Sequence, residues 1–413
     1  MPALAPADWW TIAVAASCGV ACGTPGVYLV LRRLSMLGDA ISHAILPGLV
    51  IAFLLTGSRG VLPMLVGALV AGLATAAISS GVARLGRVPE DAALGVVFTS
   101  LFALGVLLLS LFARNVDLDA GCVLYGLIDA AALDTRPIFG MHVPRSLLVL
   151  APCALINVTL LGLFSKELAL SSFDPELATA MGFRAGIIHH ALLAMIAATC
   201  VAAFEAVGSI LVVAMLIVPG ATASLLTTRL SRMLWIAAAV AVIGAVGGYL
   251  LAVRLNTSVA GAISIALGAQ FTLALFGSPT QGLIPQAWRR AALTLRIRQE
   301  DLLADLYRTH EGSAPHDVRP PNPVAVVLLN LRGLVSAGAT GPALTPRGLA
   351  YARAIIRGHR LWESFLAENL RLPTDHLHDP AHRIEHFIDA ALRDELARTQ
   401  SSDTDPQGKN IPR

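Results

Sequence analysis

Nine apolar runs fill the first 280 positions of this 413-residue chain, at 8–31, 37–56, 61–83, 92–112, 146–164, 187–204, 207–228, 233–252 and 259–277. A helix needs about 20 apolar residues to cross the hydrocarbon of a bilayer. Inside lipid, a backbone can satisfy its own polar groups only as a helix or a closed barrel. Runs of this length are too long for barrel strands, so they predict an all-α polytopic membrane body. The first run is expected to act as its own insertion signal, with no cleavable leader evident.

The charges mark a second body. Charged residues make up 14% of the chain, against about a quarter in soluble domains. Of these charges, 25 lie in 1–280 and 32 in 281–413. The chain therefore divides into a membrane domain over 1–285 and a water-soluble tail. The tail divides further into a segment at 286–350, helices at 351–400, and a disordered end at 401–413. A formal charge of +3 is too small to imply nucleic acid. The five cysteines, Cys18, Cys22, Cys122, Cys153 and Cys200, all lie in the membrane half without CxxC spacing, and read as small buried residues. Loop charges set orientation. Arg32, Arg33, Arg84, Arg87, Lys166, Arg184, Arg229 and Arg232 fall on one side; Arg59, Arg114, Arg136, Arg145 and Arg254 fall on the other. That bias predicts an outside N-terminus and a cytoplasmic tail.

Two polar features interrupt the membrane half. SMLGDAISHAILPG (35–48) opens the second span with Asp39 and His43 four residues apart, hence on one helix face. Ionisable groups inside a span are costly and tend to face a pathway. Asp39 could instead merely cap the helix at the membrane surface. Asp plus His suits transient contact with a divalent transition metal, and Pro47–Gly48 is expected to break the helix there. The second feature is KELALSSFDPELATAMGFRAG (166–186). Asp174 is an N-cap for a helix that starts at Pro175 and runs through Glu176 to Met181, with Gly182 as its stop. This helix is either a plain surface loop or a docking peg for a cytoplasmic partner.

Together, SMLGDAISHAILPGLVIAFLL, FDPELATAMGF and AVGSILVVAMLIVPGATASLL resemble the permease subunit of ABC importers for manganese, zinc and iron, over about 8–280. The resemblance implies a two-fold dimer of permeases (self or paralogue) in the lipid of a bacterial cytoplasmic membrane. It also implies a cytoplasmic ATPase and an extracytoplasmic metal-binding protein. Phe173, Asp174, Pro175 and Glu176 would then belong to the coupling helix that receives the ATPase stroke, and Asp39 and His43 to the metal path. No GxxxxGK[ST] stretch occurs, so nucleotide is handled by another polypeptide and the chain is not itself an enzyme.

The tail reads as mostly helical. RIRQEDLLADLYRTHEG (296–312) is amphipathic, 313–323 is Pro-rich, and 324–338 reads as a second helix. Thr345–Pro346 starts a third helix, and Asp379–Pro380 opens a last one to about 398. His359 and Glu363 are four apart; His382, Glu385 and His386 sit at i, i+3 and i+4; His378 lies just before them. Imidazole and carboxylate donors grouped this way suit a first-row transition metal. His310, His316 and His376 lack such partners and read as surface residues.

LTPRGLAYARAIIRGHRLWESFL followed by LHDPAHRIEHF resembles the diphtheria-toxin-repressor family of iron- and manganese-dependent regulators. That resemblance implies a degenerate winged helix followed by two metal sites: His359, Glu363 and His378 in one, and His382, Glu385, His386 and Asp301 in the other. Position 382 is histidine here, where iron-type members have cysteine and manganese-type members an acid. Ala304 stands where manganese-type members carry glutamate. The interval that should read DNA is shortened and keeps only Arg319, Arg332 and Arg347, too few for phosphate contacts and base readout. Three roles follow for the tail: a metal sensor that feeds back on transport, a repressor released from or acting at the membrane, or a metal buffer and dimerisation clamp.

Overall fold

The structure is a computed structural model that describes residues 5–34, 36–57, 61–112, 128, 133–138, 141–312, 322–338, 341–370, 377, 381–382, 384–400 and 403–412. His378 of the sequence-derived ligand set lies outside these residues, as do Cys122, His316, Arg319 and His376. The chain separates into two compact units, Met1–Pro285 and Gln286–Arg413.

Among the described residues of the first unit, nine helices are long and apolar enough to cross a membrane. They are α1 (Pro6–Leu31), α2 (Leu37–Thr56), α3 (Val61–Gly86), α4 (Glu90–Phe112), α5 (Arg145–Leu163), α8 (Ala185–Val207), α9 (Ser209–Leu226), α10 (Leu230–Leu255) and α11 (Val259–Gly277). Between α5 and α8 lie the short helices α6 (Ser165–Phe173) and α7 (Pro175–Ala180). A small antiparallel hairpin, Thr135–Ile138 with Met141–Pro144, precedes α5.

Lipid offers no hydrophobic drive between helices, so close packing of small residues does the work. Glycine lets α1 sit against α9 and α10. A Cβ on Gly26 would fall on the Leu216 carbonyl oxygen, and one on Gly19 would lie 2.9 Å from the Ala241 methyl. One buried polar link reinforces this centre: Asn157 donates to the Ala21 carbonyl at 2.9 Å and to Thr199 Oγ1 at 2.8 Å. Cys18, Cys22 and Cys200 are buried free thiols among these helices.

Helix α2 departs from the sequence expectation. It runs unbroken through Pro47. A Cβ on Gly48 would meet the Gly67 carbonyl oxygen, and one on Gly67 would meet that of Gly48. Gly105 of α4 leaves room for the proline ring. Membrane helices tolerate proline where neighbours pack around the freed carbonyl.

The second unit centres on α12 (Leu283–His310) and α14 (Pro346–Leu370), with α13 (Pro323–Leu331) and a hairpin, Val335–Gly338 with Gly341–Leu344, between them in sequence. Its core holds Leu303, Ala304, Tyr307, Leu329, Val335, Ala352, Ile355 and Ile356. The expected helix over 324–338 stops at Leu331. Gly333 takes φ +68°, a left-handed turn that ends the helix and starts the strand. Thr345 caps α14 as its sequence suggests, Oγ1 accepting from Gly348 N at 3.0 Å.

The single long helix expected from 380 is instead interrupted after the helical residues 381, 382 and 384. A 3-10 turn covers Glu385–Phe387, Ile388 is extended, and Asp389 caps α15 (Ala390–Thr399). The asparate at 389 wins because its side chain satisfies the new helix's free amide. Where the sequence reads as a disordered end, residues 403–412 fold back on α14. The buried Arg360 donates to Asn410 O at 2.6 Å and to Glu311, and lies 3.6 Å from Asp405.

Candidate metal sites

Asp39 stands in the first turn of α2, with His43 one turn on. His43 Nε2 lies 3.6 Å from Asp39 Oδ1, and the two side chains are 38% and 40% exposed. Both side chains are therefore half-buried and still reachable from outside the helix bundle. The His43 ring packs against Phe98 and Phe102 of α4, which orients the imidazole without using either nitrogen. Both donors stay available to an ion.

Asp174 caps α7 as expected, Oδ1 accepting from Leu177 N at 2.9 Å, and Gly182 at φ +90° closes the segment. Around this six-residue helix, Phe173, Leu177, Met181 and Phe183 are exposed. Four large apolar side chains on one short connection form a patch of the kind that partners cover.

In the tail, Asp301, His382, Glu385 and His386 each offer an atom, and these atoms all lie within 4.8 Å of one another. His382 Nδ1 is 2.8 Å from Glu385 Oε1, and His386 Nε2 is 3.1 Å from Asp301 Oδ1. Asp301 Oδ1, Glu385 Oε2 and His386 Nε2 are buried without a properly angled hydrogen bond. Converging buried lone pairs of this kind fit a cation. Two imidazoles and two carboxylates, with no sulfur, suit manganese, iron, cobalt or zinc rather than copper(I).

His359 and Glu363 do not stand apart. His359 Nε2 lies 3.0 Å from Glu363 Oε1, and its Nδ1 lies 2.6 Å from Glu385 Oε2. Glu385 thus joins the two groups that the sequence separates. Ala304 is fully buried in the apolar core, so that position offers no room for a ligand.

Glu300 escaped the sequence reading. Its Oε2 accepts from His386 Nδ1 at 2.9 Å, while Arg296 and Tyr351 donate to its Oε1 at 2.9 and 3.0 Å. A carboxylate on the far nitrogen fixes the tautomer that leaves Nε2 for metal. The available signal was a second acid beside Asp301, one turn after Arg296.

Burial opposes a charge on His386, but the close carboxylates of Asp301, Glu300 and Glu385 outweigh it and push the imidazolium up to about 9. Burial likewise opposes ionisation of Glu385, yet His359 and His382 hold its carboxyl down at about 2. His386 therefore carries a proton at neutral pH that a metal must displace. Its folded value lies above the ordinary 6.5, so its charge stabilises the metal-free tail below that value and ceases to as pH rises through about 9. Metal binding to the full-length chain, with Asp39 and His43 replaced, should release about one proton at pH 7 and tighten about tenfold per pH unit up to about 9. Calorimetry in buffers of differing ionisation enthalpy checks this. Binding with no proton release would mean that His386 is not a ligand.

Comparison with known proteins agrees with this division. Residues 6–278 match the ABC 3 transport family, and residues 345–413 match the iron dependent repressor, metal binding and dimerisation domain. The manganese transport system membrane protein MntD of Bacillus subtilis is 44% identical over 292 residues, covering 70% of this chain and 97% of that protein. The zinc transport system membrane protein TroD of Treponema pallidum is 40% identical over 291 residues, covering 70% of this chain and 78% of that protein. The solved structure of PsaBC from Streptococcus pneumoniae in complex with Fab matches with a TM-score of 0.55 at 29% identity, covering 66% of this chain and 91% of that one. With nine spans among its described residues, this chain belongs to the ABC 3 transport family as a multi-pass membrane permease subunit, and its residues 345–413 are a domain of the iron-dependent-repressor metal-binding kind.

Proposed function

We propose that the chain is the permease of an ATP-driven importer of manganese, zinc or iron, and that its cytoplasmic tail senses internal metal and restrains uptake. The observation that carries the transport reading is the Asp39–His43 pair, 3.6 Å apart and partly exposed on one face of a membrane helix. Two donors are fewer than a transition metal uses, so water or a second permease supplies the rest of the passing ion's contacts. The relatives named for manganese and zinc transport support the cargo class without choosing within it. An extracytoplasmic metal-binding protein delivers the ion, and an ATPase docks on the apolar patch around α7.

For the tail, Asp301, His382, Glu385 and His386 would hold a divalent ion, with Glu300 orienting His386. Bound there, a dication supplies positive charge to a pocket crowded with carboxylates. Feedback then needs only that the tail's metal-loaded form favour a transport-poor arrangement of the permease. A DNA-reading role is disfavoured by α13. Its Val324, Val327 and Leu331 are exposed, where phosphate contacts and base readout call for polar and basic side chains.

Reconstitution with the ATPase and the metal-binding protein tests the transport reading. ATP-dependent uptake of at least one of the three metals is expected. Deleting residues 175–178 should leave the chain in the membrane but abolish ATP-coupled uptake. Intact coupled hydrolysis in that deletion would move docking to another loop.

A further inference from the structure

Arg32 follows the last residue of α1, and its side chain turns toward the connection that carries α7. Arg32 Nε donates to Ser172 Oγ at 3.0 Å, and Nη2 donates to Ser171 Oγ at 3.0 Å. Nη1 donates to His189 Nδ1 at 2.8 Å. The two serines end α6, directly before α7; His189 stands in the second turn of α8, directly after it. One guanidinium thus grips both flanks of the proposed docking helix. Arginine suits this because its donors diverge in a rigid plane.

The other side of Arg32 leads to the metal path. Arg33 takes φ +60°, an uncommon conformation for a residue with a side chain. The turn is closed by Arg33 N donating to Val30 O at 3.2 Å and Leu34 N donating to Leu29 O at 2.9 Å. Three residues after Leu34, α2 begins, and Asp39 is in its first turn. Leu37 N, at the start of α2, donates to Leu34 O of this turn at 3.0 Å, which ties Arg32 to the helix that carries the aspartate.

We infer that Arg32 is a positioning residue that couples movement of the α6–α7–α8 connection to the start of α2, so that the ATPase stroke reaches Asp39 and His43 through its three hydrogen bonds. The inference rests on the ATPase docking at α7. Co-purification of the ATPase reads docking, whereas the ratio of metal taken up to ATP hydrolysed reads the Arg32 link, so the two fail separately.

The test uses the complete transporter in proteoliposomes. Arg32→Gln should keep the ATPase bound and hydrolysing while uptake per ATP falls about tenfold, within the usual range of coupling between sites. Arg32→Lys should fare little better, because one ammonium cannot serve three divergent acceptors. Ser171→Ala combined with Ser172→Ala retains the arginine and removes two acceptors, and should lower the ratio about fivefold. A purely structural role would lower yield or melting temperature and leave the ratio of the assembled fraction unchanged. If Arg32→Gln does not assemble, the serine pair decides. A wild-type ratio in the assembled variants overturns the inference.

Discussion

With Asp39 and His43 both replaced by alanine, the assembled transporter is expected to lose metal uptake by at least about 100-fold, equivalent to about 2.7 kcal/mol. The pair supplies both polar donors on its face of α2, and the flanking Phe98 and Phe102 offer an ion nothing in their place. A desolvated dication without replacement ligands faces the cost of an unpaired charge near hydrocarbon. Each single replacement should be severe as well, because one remaining donor cannot hold the ion at that position. The fold should survive: both side chains are partly exposed, and the replacement gives up only the ring contacts of His43 with Phe98 and Phe102. The measurement is uptake of radioactive manganese and zinc by the purified complex, with melting temperature as a control. Uptake near the wild-type rate in the double variant would make the pair an ordinary helix start.

The second large effect concerns the tail. His382→Ala combined with His386→Ala should weaken tail metal binding about a thousandfold, because Asp301 and Glu385 alone offer only hard oxygen donors. The variant should still import metal, since the pair proposed for transport lies on α2. What it should lose is restraint: with metal loaded inside the vesicle, uptake should continue at the unloaded rate, while the wild type slows. Equal slowing in both would remove the tail from control of transport and favour a buffer or clamp. Glu300→Gln supplies a graded control. It leaves all four ligands but weakens the hold on His386 Nδ1, and should cost about 10- to 100-fold in affinity.

The spans are legible because lipid imposes a length that few other structures share, and all nine apolar runs correspond to described helices. Continuity within a span is less legible. Pro47–Gly48 signals a break, and only Gly67 and Gly105, remote in sequence, make room for an unbroken α2. In the tail, His382, Glu385 and His386 show themselves by spacing, and they group even though a 3-10 turn at 385–387 interrupts the expected helix. Asp301 enters only through family resemblance, because 80 intervening residues leave no periodic trace. Glu300 and the bridging role of Glu385 are tertiary facts: each depends on how α12 meets the segment after α14. The fold-back of 403–412 is hidden for the same reason. Its anchor, Arg360, looks from the sequence like one more charge on an amphipathic helix.

The contact between Gly48 and Gly67 bears on how the pathway can open. Side chains usually cushion two helices and let one roll against the other. Here carbonyl faces glycine in both directions, with Pro47 seated against Gly105 on the other side. Rolling α2 about its axis would press backbone onto backbone at one contact while opening a void at the other, and packed interiors resist both. The cheap motion left is for α2, α3 and α4 to travel as one panel. The door of this transporter would then be three helices wide, and a single substitution at Gly48 or Gly67 would jam the frame without touching Asp39 or His43.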